Sequence, residues 1–372
     1  MEHGIIWKCK TSKFNFFAWP TVGKLQDGAL AIVSSGFRRR HADPFGKVCI
    51  QYSKNEGKTW SYPAPIYDSP LDDRDAGLSV KGAVVAVTTF HNTIEAQRSF
   101  FTSRWTGYEN QTGENNFSAS YLDLITDEEV EKYVAPNYLI SRDGGYTFDE
   151  NYITPENISN PHGFTLLNDG RFFAVGRQYV NGGKNLSTNI VYTTSKDGVQ
   201  WEKGTRFDTA QKTSDLLFCE PHAVQADNGA IILVFRVDGM GNFTMYQSVS
   251  LDGGASFSTP KPMRILGAPP HLIKHSSGAL ICVYGRRVVP YGQRAIVSFD
   301  HGQTWSHEIT LRDDGFDSDL GYPSSVELSD GRILTAYYHN TEDFHEGRSL
   351  EYTVWSLQEI QKRKKELIEK MY

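Results

Sequence analysis

The stretch Ser298-Phe299-Asp300-His301-Gly302-Gln303-Thr304-Trp305 is the clearest copy of a short pattern that recurs along the chain. Each copy has a polar opening residue, a glycine and a closing aromatic residue. An aspartate or asparagine accepts hydrogen bonds from turn amides and glycine supplies a positive φ, so the pattern predicts a tight turn between two strands. The other copies occupy residues 53–60, 141–148, 195–201 and 250–257. The turn is structural and by itself indicates no chemistry.

A second repeat, out of phase with the first, predicts pairs of inner strands. Each unit has a proline or polar start, an apolar run, a turn that contains glycine and a second apolar run. The units run over residues 20–33, 77–87, 161–175, 221–234, 270–283 and 323–336. Hairpins at a period of about fifty residues, most of them followed by the tight turn, are typical of an all-β fold, a six-bladed β-propeller.

The repeats predict a single propeller domain over residues 1–372, because each blade needs its neighbours to bury its faces. The short strand candidate at residues 5–7 would complete the last blade and close the ring. A break in the period near residues 100–137 predicts an insertion, whose aromatic side chains either cover a sugar ring or pack on one another. Helical spacing predicts a C-terminal helix at about residues 356–372, which would dock on the propeller rim or form a homo-oligomer.

Composition excludes several classes of function. The 372 residues are 39% hydrophobic, enough for a large core, and the net charge of −6 argues against nonspecific nucleic-acid binding. Apolar runs are too short for a membrane span, so no membrane partner is expected. Residues 1–10 lack the apolar core of a secretory signal, which predicts a cytoplasmic location, or a periplasmic or secreted one if the N-terminus was trimmed. The cysteines lack metal-ligand spacing and are expected to be buried free thiols.

Two charged clusters lie where loops would line the central face of the propeller. Arg38, Arg39 and Arg40 end the first inner hairpin, and the stretch Asp72-Asp73-Arg74-Asp75 opens the second. Adjacent charges beside a buried strand are costly unless they pair or face water. The second cluster is therefore either an exposed turn with an internal ion pair, or it places Arg74 and one aspartate at the mouth of the channel.

The repeats and several single residues resemble the sialidase (neuraminidase) superfamily, six-bladed propellers built around such turns, which are known as Asp boxes or BNR repeats. In this chain Cys219-Glu220-Pro221 leads to Val234-Phe235-Arg236, and Gly321-Tyr322-Pro323 opens the last inner hairpin. The resemblance implies that Tyr322 is a nucleophile and that Glu220 is its base. It also implies that Arg236 grips the carboxylate of the substrate.

Two further roles follow from the same resemblance. Asp43, after the arginine run, would be the acid/base that protonates the leaving oxygen and then activates water. Arg294 would be a further arginine of the carboxylate clamp, with Arg286 and Arg287 as nearby alternatives. The mechanism needs no metal and no cofactor.

The opening of the first hairpin departs from the family. The family has Arg-Ile-Pro there, whereas this chain has Ala18-Trp19-Pro20. An indole cannot replace the charge-assisted hydrogen bonds of a guanidinium. Either Arg74 or one residue of the run Arg38 to Arg40 fills the gap, or the substrate is not an ordinary sialic acid.

Three histidines form a second departure. His162, His222 and His271 each follow the first proline of an inner hairpin, so the repeat predicts that they lie at similar heights around the channel. They would bind a metal, bind hydroxyl groups of a sugar, or serve the structure alone. We expect them to bind substrate without a metal.

The sequence therefore predicts an exo-acting glycoside hydrolase of the sialidase type, whose substrate is a terminal anionic sugar, sialic acid or a related one. The alternative is a propeller that uses the same pocket differently. It would be a lyase or glycosidase for a uronic-acid glycan, or a carbohydrate-binding module without turnover. Trp19 and the histidines favour this alternative.

Overall fold

The protein is described by a computed structural model that covers residues 1–103, 108–209, 216–239, 243–340 and 347–358. In these residues the strands form six antiparallel sheets, which are the blades of the predicted six-bladed β-propeller. The fold class is therefore confirmed. Within the same residues, no helix is both long enough and apolar enough to cross a membrane.

In blades 1 to 5 the innermost strand comes first in the chain and the outermost strand comes last, whereas the outermost strand of blade 6 is the first strand of the chain. The chain begins with β1 (Glu2–Trp7), which belongs to the last blade. Blade 1 contains β2 (Phe16–Lys24), β3 (Leu30–Arg38), β4 (Lys47–Ser53) and β5 (Ala64–Tyr67). Blade 2 contains β6 (Asp72–Lys81), β7 (Val84–Asn92), β8 (Asn137–Ser141) and β9 (Glu150–Ile153). Blade 3 contains β10 (Ile158–Ser159), β11 (Thr165–Leu166), β12 (Phe172–Val180), β13 (Asn185–Ser195) and β14 (Thr205–Arg206).

The remaining blades follow the same order. Blade 4 contains β15 (Leu217–Gln225), β16 (Ile231–Asp238), β17 (Thr244–Ser250) and β18 (Lys261–Leu266). Blade 5 contains β19 (Pro270–Lys274), β20 (Leu280–Arg286), β21 (Gly292–Ser298) and β22 (Ile309–Arg312). Blade 6 contains β23 (Gly321–Glu327), β24 (Ile333–His339), β25 (Ser349–Trp355) and β1.

The ring closes as the sequence predicts, because the first strand of the chain completes the last blade. β1 pairs antiparallel with β25, with Glu2 opposite Val354. The pairing satisfies one edge of β25 and joins the two ends of the propeller.

The predicted tight turns connect the third and fourth strands of blades 1 to 5. In the copy in blade 5, Gly302 N donates to Ser298 Oγ at 2.8 Å, and Thr304 N donates to Asp300 Oδ1 at 2.8 Å. Gly302 has a φ of 84°, which glycine adopts readily. The closing Trp305 donates its indole N–H to Gln247 Oε1 of blade 4 at 2.6 Å, so the turn also joins neighbouring blades.

The core consists of apolar layers between neighbouring blades. One layer joins Val234 of β16 and Leu280 of β20 with Trp305 of the turn. Burying a side chain such as valine or leucine contributes roughly 1.5–3 kcal/mol, so each blade is stabilised by its neighbours. Cys49, Cys219 and Cys282 are buried free thiols, as predicted, whereas Cys9 is only half-buried.

The break in the repeat is a helical insertion between β7 and β8. It contains α1 (Ile94–Ser99), α2 (Thr112–Leu122) and α3 (Asp127–Tyr133). At the start of α3, the side chains of Thr126 and Glu129 cap each other's backbone N–H groups, which satisfies two free donors. The described residues end at Gln358, so most of the predicted C-terminal helix lies outside them.

Candidate active site

Four innermost strands of the described residues carry a two-residue β-bulge at the same place, after the first few residues of the strand. The bulged pairs are Trp19-Pro20, Asp75-Ala76, Glu220-Pro221 and Tyr322-Pro323. The first residue of each pair has a positive φ, between 45° and 53°. Non-glycine residues rarely adopt this conformation, and bulges commonly redirect a side chain next to an active site.

The bulges of blades 4 and 6 bring Glu220 and Tyr322 together, although about a hundred residues separate them in the chain. The Tyr322 hydroxyl donates a hydrogen bond of 2.5 Å to Glu220 Oε1. Arg236 Nη1 donates to the other oxygen of Glu220 at 2.8 Å. The result is a chain of phenol, carboxylate and guanidinium, in which the phenol is buried and the other two groups are partly exposed.

The charges of this chain favour an ionised Glu220 and a neutral Tyr322. Burial raises the pKa of Glu220, but Arg236 and the hydrogen bond from Tyr322 outweigh it and hold the pKa below its ordinary value. Burial and the negative charge of Glu220 raise the pKa of Tyr322 well above its ordinary value. An ionised Glu220 in this position can accept a proton from the phenol.

Arg236 is held by two carboxylates. Besides Glu220 it binds Asp238 in a bidentate pair, with distances of 2.9 Å from Nε and 2.8 Å from Nη2. Its guanidinium also lies 4.4 Å from the ring centre of Phe243. The pair fixes the plane of the guanidinium and leaves only part of its donor capacity for a substrate.

Arg287 is the second guanidinium near Tyr322. Its Cζ lies 5.4 Å from the ring centre of Tyr322, and its Nη2 donates to the Tyr338 hydroxyl at 3.3 Å. Its Nε is buried and has no hydrogen-bond partner in the described part of the chain. Together with Asp238, Phe243 and other residues, Arg287 lines a cavity of about 350 Å³. In the sequence, the signal for Arg287 is its position directly after an inner strand.

Arg294, the predicted clamp residue, lies elsewhere. Its Nε donates to Glu308 at 3.1 Å, and its remaining donors bind the carbonyl oxygens of Gln293, Pro290 and Arg312. Residue 294 lies within a third strand, so its side chain faces the fourth strand instead of the channel. Among the three arginines that the sequence offered for this role, Arg287 is the one beside Tyr322.

Trp19 occupies the place of the missing arginine. Its ring lies 6.4 Å from that of Tyr322, and the guanidinium groups of Arg38 and Arg74 lie 4.8 Å and 4.0 Å from its centre. Arg38 forms a 2.6 Å ion pair with Asp72. Arg38 is fully buried, and its guanidinium also donates to the backbone oxygens of His41 and Asp73. Arg74 is the predicted replacement that lies closest to the Trp19 ring.

His41 and Asp319 belong to the same cluster and were missed from the sequence. His41 Nδ1 lies 3.0 Å from Asp319 Oδ1, and its Nε2 lies 3.1 Å from Arg74 Nη2. Since arginine can only donate, Nε2 is the acceptor and Nδ1 carries the hydrogen. Burial lowers the pKa of His41 to about 4, so the ring is neutral. The two residues come from distant loops, and no repeat relates them.

Asp43 lies inside the loop that follows β3 and is fully buried. Its carboxylate accepts hydrogen bonds from the backbone N–H groups of Arg39 and Phe45 at 2.7 Å and 3.2 Å. The side chain of Arg39 adds a third bond at 3.2 Å. These contacts turn Asp43 toward its own loop, and no hydrogen bond joins it to Tyr322 or Glu220.

The insertion holds this loop in place. Arg39 binds Glu114 and Ser118 of α2, and Arg40 binds Asn115 at 2.7 Å. Phe117, an aromatic residue of the insertion, lies under the Arg39 guanidinium at 4.4 Å. Phe117 and Tyr121 also contact the ring of Phe45, so these two aromatic residues pack against the loop after β3, whereas the sequence predicts that they cover a sugar ring or pack on one another. Trp105 lies outside the described residues.

The three predicted histidines meet one level below the bulges, as the repeat implies. The ring centres of His222 and His271 are 4.4 Å apart, and His162 lies 4.9 Å from His271 and 6.1 Å from Tyr322. In blade 2 the equivalent place is Gly77, where a Cβ would lie 2.0 Å from the backbone of blade 3. Only glycine fits there.

These histidines are neutral hydrogen-bonding groups. His222 Nδ1 accepts from Leu272 N at 3.0 Å, and His271 Nδ1 accepts from Ser325 N at 3.3 Å, so each carries its hydrogen on Nε2. Burial lowers the pKa of all three, to about 3 for His222. His162 Nε2 is buried and has no hydrogen-bond partner among the residues that the structure describes. No cluster with the geometry of a metal site occurs within the described ranges.

The six-bladed ring, the Asp-box turns and the Tyr322–Glu220–Arg236 chain define a propeller of the sialidase superfamily. The chain belongs to the family described as BNR repeat-like domain, whose model matches residues 124–333. Comparison with curated protein sequences gives no match.

Solved structures with the same fold cover nearly the whole chain. A protein of unknown function from Dyadobacter fermentans has a TM-score of 0.75 and 21% identity, over 95% of this chain and 97% of that one. The NanB sialidase of Streptococcus pneumoniae has a TM-score of 0.66 and 13% identity, over 95% and 70%. A leech intramolecular trans-sialidase, complexed with 2,7-anhydro-Neu5Ac, has a TM-score of 0.68 and 14% identity, over 96% and 71%.

Proposed function

We propose that this protein is a retaining exo-glycoside hydrolase for a terminal anionic sugar, sialic acid or a relative. The observation that carries the proposal is the 2.5 Å hydrogen bond from the Tyr322 hydroxyl to the ionised Glu220, beside a cavity lined by Arg287. The names of two structural neighbours, a sialidase and an intramolecular trans-sialidase, support an acidic sugar.

In the proposed reaction, Tyr322 Oη attacks the anomeric carbon while Glu220 accepts its proton. A neutral phenol approaches an anionic sugar without the repulsion that a carboxylate nucleophile would meet. The glycosidic bond breaks and a covalent glycosyl-enzyme forms, which water then hydrolyses with retention. The acid/base role, which the family resemblance assigns to Asp43, requires a carboxyl group that reaches the glycosidic oxygen.

Recognition of the acidic group would rest on Arg287 and on the free donors of Arg236. Arg287 has no carboxylate partner in the described residues, so a substrate carboxylate would supply the missing counter-charge. Arg74 lies beyond the Trp19 ring and adds positive potential. The three neutral histidines, one level below the bulges, would donate hydrogen bonds to hydroxyl groups of the sugar.

A second candidate is a propeller that acts on a uronic-acid glycan as a lyase or glycosidase, or that binds a glycan without turnover. Trp19 in place of an arginine favours it, because the carboxylate clamp then has one guanidinium fewer. His162 favours it as well, since its Nε2 has no partner among the described residues and a histidine nitrogen can serve as the base of an elimination.

Fluorogenic substrates would test the proposal. We expect release of 4-methylumbelliferone from its α-glycoside of N-acetylneuraminic acid or of the deaminated analogue, and a loss on the order of 10²–10⁴-fold in the Glu220→Gln variant. The β-D-glucuronide serves as the uronic-acid comparison. Unsaturated products from a uronic-acid polymer, seen by ultraviolet absorbance, would favour the lyase. Binding of these sugars without any product would contradict both enzymatic functions.

A further inference from the structure

The proposed reaction gives no role to two of the four bulge residues, Trp19 and Asp75, and of these only Asp75 is titratable. It lies in β6 with a φ of 48°, at the place that Glu220 and Tyr322 occupy in their own blades. The equivalent bulges therefore turn its carboxyl group toward the same central space. Around the ring, blade 1 with Trp19 lies between blade 2 with Asp75 and blade 6 with Tyr322.

The Asp75 carboxyl group is buried, and none of the described residues forms a hydrogen bond with it. Its side chain is only 4% exposed, and its Oδ1 has no partner within the described residues. The nearest cation is Arg74 Nε at 3.9 Å, which is too long for a hydrogen bond. A buried carboxyl group without partners is costly as an ion, which favours its protonated form.

The charged and titratable groups around Asp75 come from several blades. Arg74 and Asp72 lie on its own strand, and Arg38 lies on the neighbouring blade. Glu220 faces it from blade 4, and the phenols of Tyr322 and Tyr179 lie near it as well. Burial and the negative charge of Glu220 together outweigh the arginines and raise the pKa of Asp75 to about 7.

Asp43 differs from Asp75 in its contacts. Three donors, from Arg39 and Phe45, occupy the carboxylate of Asp43 within its own loop. A proton donor needs an oxygen that is free to reach the leaving group, and it needs a proton near neutral pH. Burial raises the pKa of both carboxyl groups, so the difference between them in the present geometry is that the Oδ1 of Asp75 has no donor among the described residues.

We propose that Asp75, and not Asp43, is the acid/base of the reaction. This inference rests on the proposed hydrolase function. As the Tyr322 Oη bond to the anomeric carbon forms and the glycosidic bond breaks, the Asp75 proton passes to the leaving oxygen and the phenolic proton passes to Glu220. In the second step Asp75 takes a proton from the attacking water, and the Tyr322 oxygen leaves with the proton held by Glu220. Each cycle consumes one water and restores all three residues.

The test compares Asp75→Asn with the matched variant Asp43→Asn on two leaving groups. Sialyllactose releases a poor leaving group that needs a proton, whereas 4-methylumbelliferyl N-acetylneuraminide releases a good one. We expect Asp75→Asn to lose on the order of 10²–10⁴-fold in kcat/KM on sialyllactose and less than about 10-fold on the aryl substrate. Asp43→Asn should lose similar factors on both. The basic limb of the pH profile should disappear only in Asp75→Asn.

A covalent probe shows whether the variant is folded with a working nucleophile. In 2,3-difluoro-N-acetylneuraminic acid the fluoride leaves without a proton, so Asp75→Asn should still be labelled at Tyr322, as detected by peptide mass spectrometry. Loss of labelling would mean that Asp75 supports the fold or the nucleophile instead, and it would overturn the proposal. Equal losses of Asp75→Asn on both substrates, or a leaving-group dependence in Asp43→Asn, would also overturn it. If the wild-type protein were inactive on both substrates, the hydrolase function itself would fail, and this inference with it.

Discussion

At the scale of single residues, the Tyr322 phenol is the group on which the proposed chemistry depends. The Tyr322→Phe change keeps the ring and removes the oxygen that donates to Glu220 at 2.5 Å. We expect turnover on a hydrolysed sialoside to fall by at least about 10³-fold, with a loss of only about 1 kcal/mol in the free energy of unfolding. Steady-state kinetics and urea denaturation measure the two effects.

The protein contains a matched control for that change. The hydroxyl of the buried Tyr284 donates to Glu308 at 2.8 Å, in blade 5 and without contact to Glu220. Tyr284→Phe should lose similar stability and keep wild-type turnover. If Tyr322→Phe behaved like Tyr284→Phe in the kinetic assay, Tyr322 would have a structural role and the sialidase-type mechanism would be excluded.

Arg287 is predicted to bind the acidic group of the substrate. Replacing it by glutamine removes a guanidinium that no carboxylate neutralises in the described structure, and we expect KM to rise about 30-fold, equivalent to about 2 kcal/mol. Arg286→Gln is the control, since Arg286 points to Glu308 at 3.4 Å. Equal effects of the two changes on KM would place the anion site elsewhere.

At the scale of elements, the sequence predicts the position of a site residue only where the repeat fixes it. Glu220 and Tyr322 both open inner hairpins, so the radial repeat brings them to one level, and this part was predictable. Asp43 and Arg294 follow strands or lie within them, where the direction of a side chain depends on strand register and loop contacts. The bulges that redirect Trp19 and Asp75 leave no signal in composition, because residues as different as tryptophan and aspartate occupy them.

The strand β1 gives a prediction about ring closure. Ile6 is 6% exposed and packs in a cluster with Leu350 and Val354, whereas Ile5 on the same strand is 59% exposed. Ile6→Ala should lower the free energy of unfolding by about 2–5 kcal/mol, and Ile5→Ala should change it by less than about 0.5 kcal/mol. Urea denaturation of both variants tests the pair. Equal losses would mean that β1 adds little to closure of the ring.

At the scale of the whole molecule, the fold was predictable because the apolar periodicity recurs in all six blades and the tight turn recurs in five of them, so each copy supports the interpretation of the others. The histidines at the axis follow from that repeat too. Their neutrality does not, since it depends on burial and on the backbone N–H groups of Leu272 and Ser325 in neighbouring blades. The sequence places these rings near one another but leaves their surroundings undefined.

The buried histidines make the free energy of unfolding depend on pH. Burial lowers the folded-state pKa of His222 to about 3 and that of His41 to about 4, below the value of 6.5 that an unfolded chain has. The unfolded state then binds more protons at acidic pH. The stabilisation is complete above about pH 6.5 and is lost as the pH falls toward the folded values. Between pH 7 and pH 5, each such histidine should cost about 2 kcal/mol of unfolding free energy.

Urea denaturation at pH 7 and pH 5 tests this link. In His222→Gln, the amide oxygen can still accept from Leu272 N, but the side chain no longer takes up a proton on unfolding. Its loss of stability between the two pH values should therefore be about 2 kcal/mol smaller than that of the wild type. His307→Gln is the control, because His307 is exposed and should leave the difference unchanged. If His222→Gln lost as much unfolding free energy between pH 7 and pH 5 as the wild type, the prediction would be wrong. His222 would then already be protonated in the folded protein, with its charge stabilised by a nearby carboxylate or water.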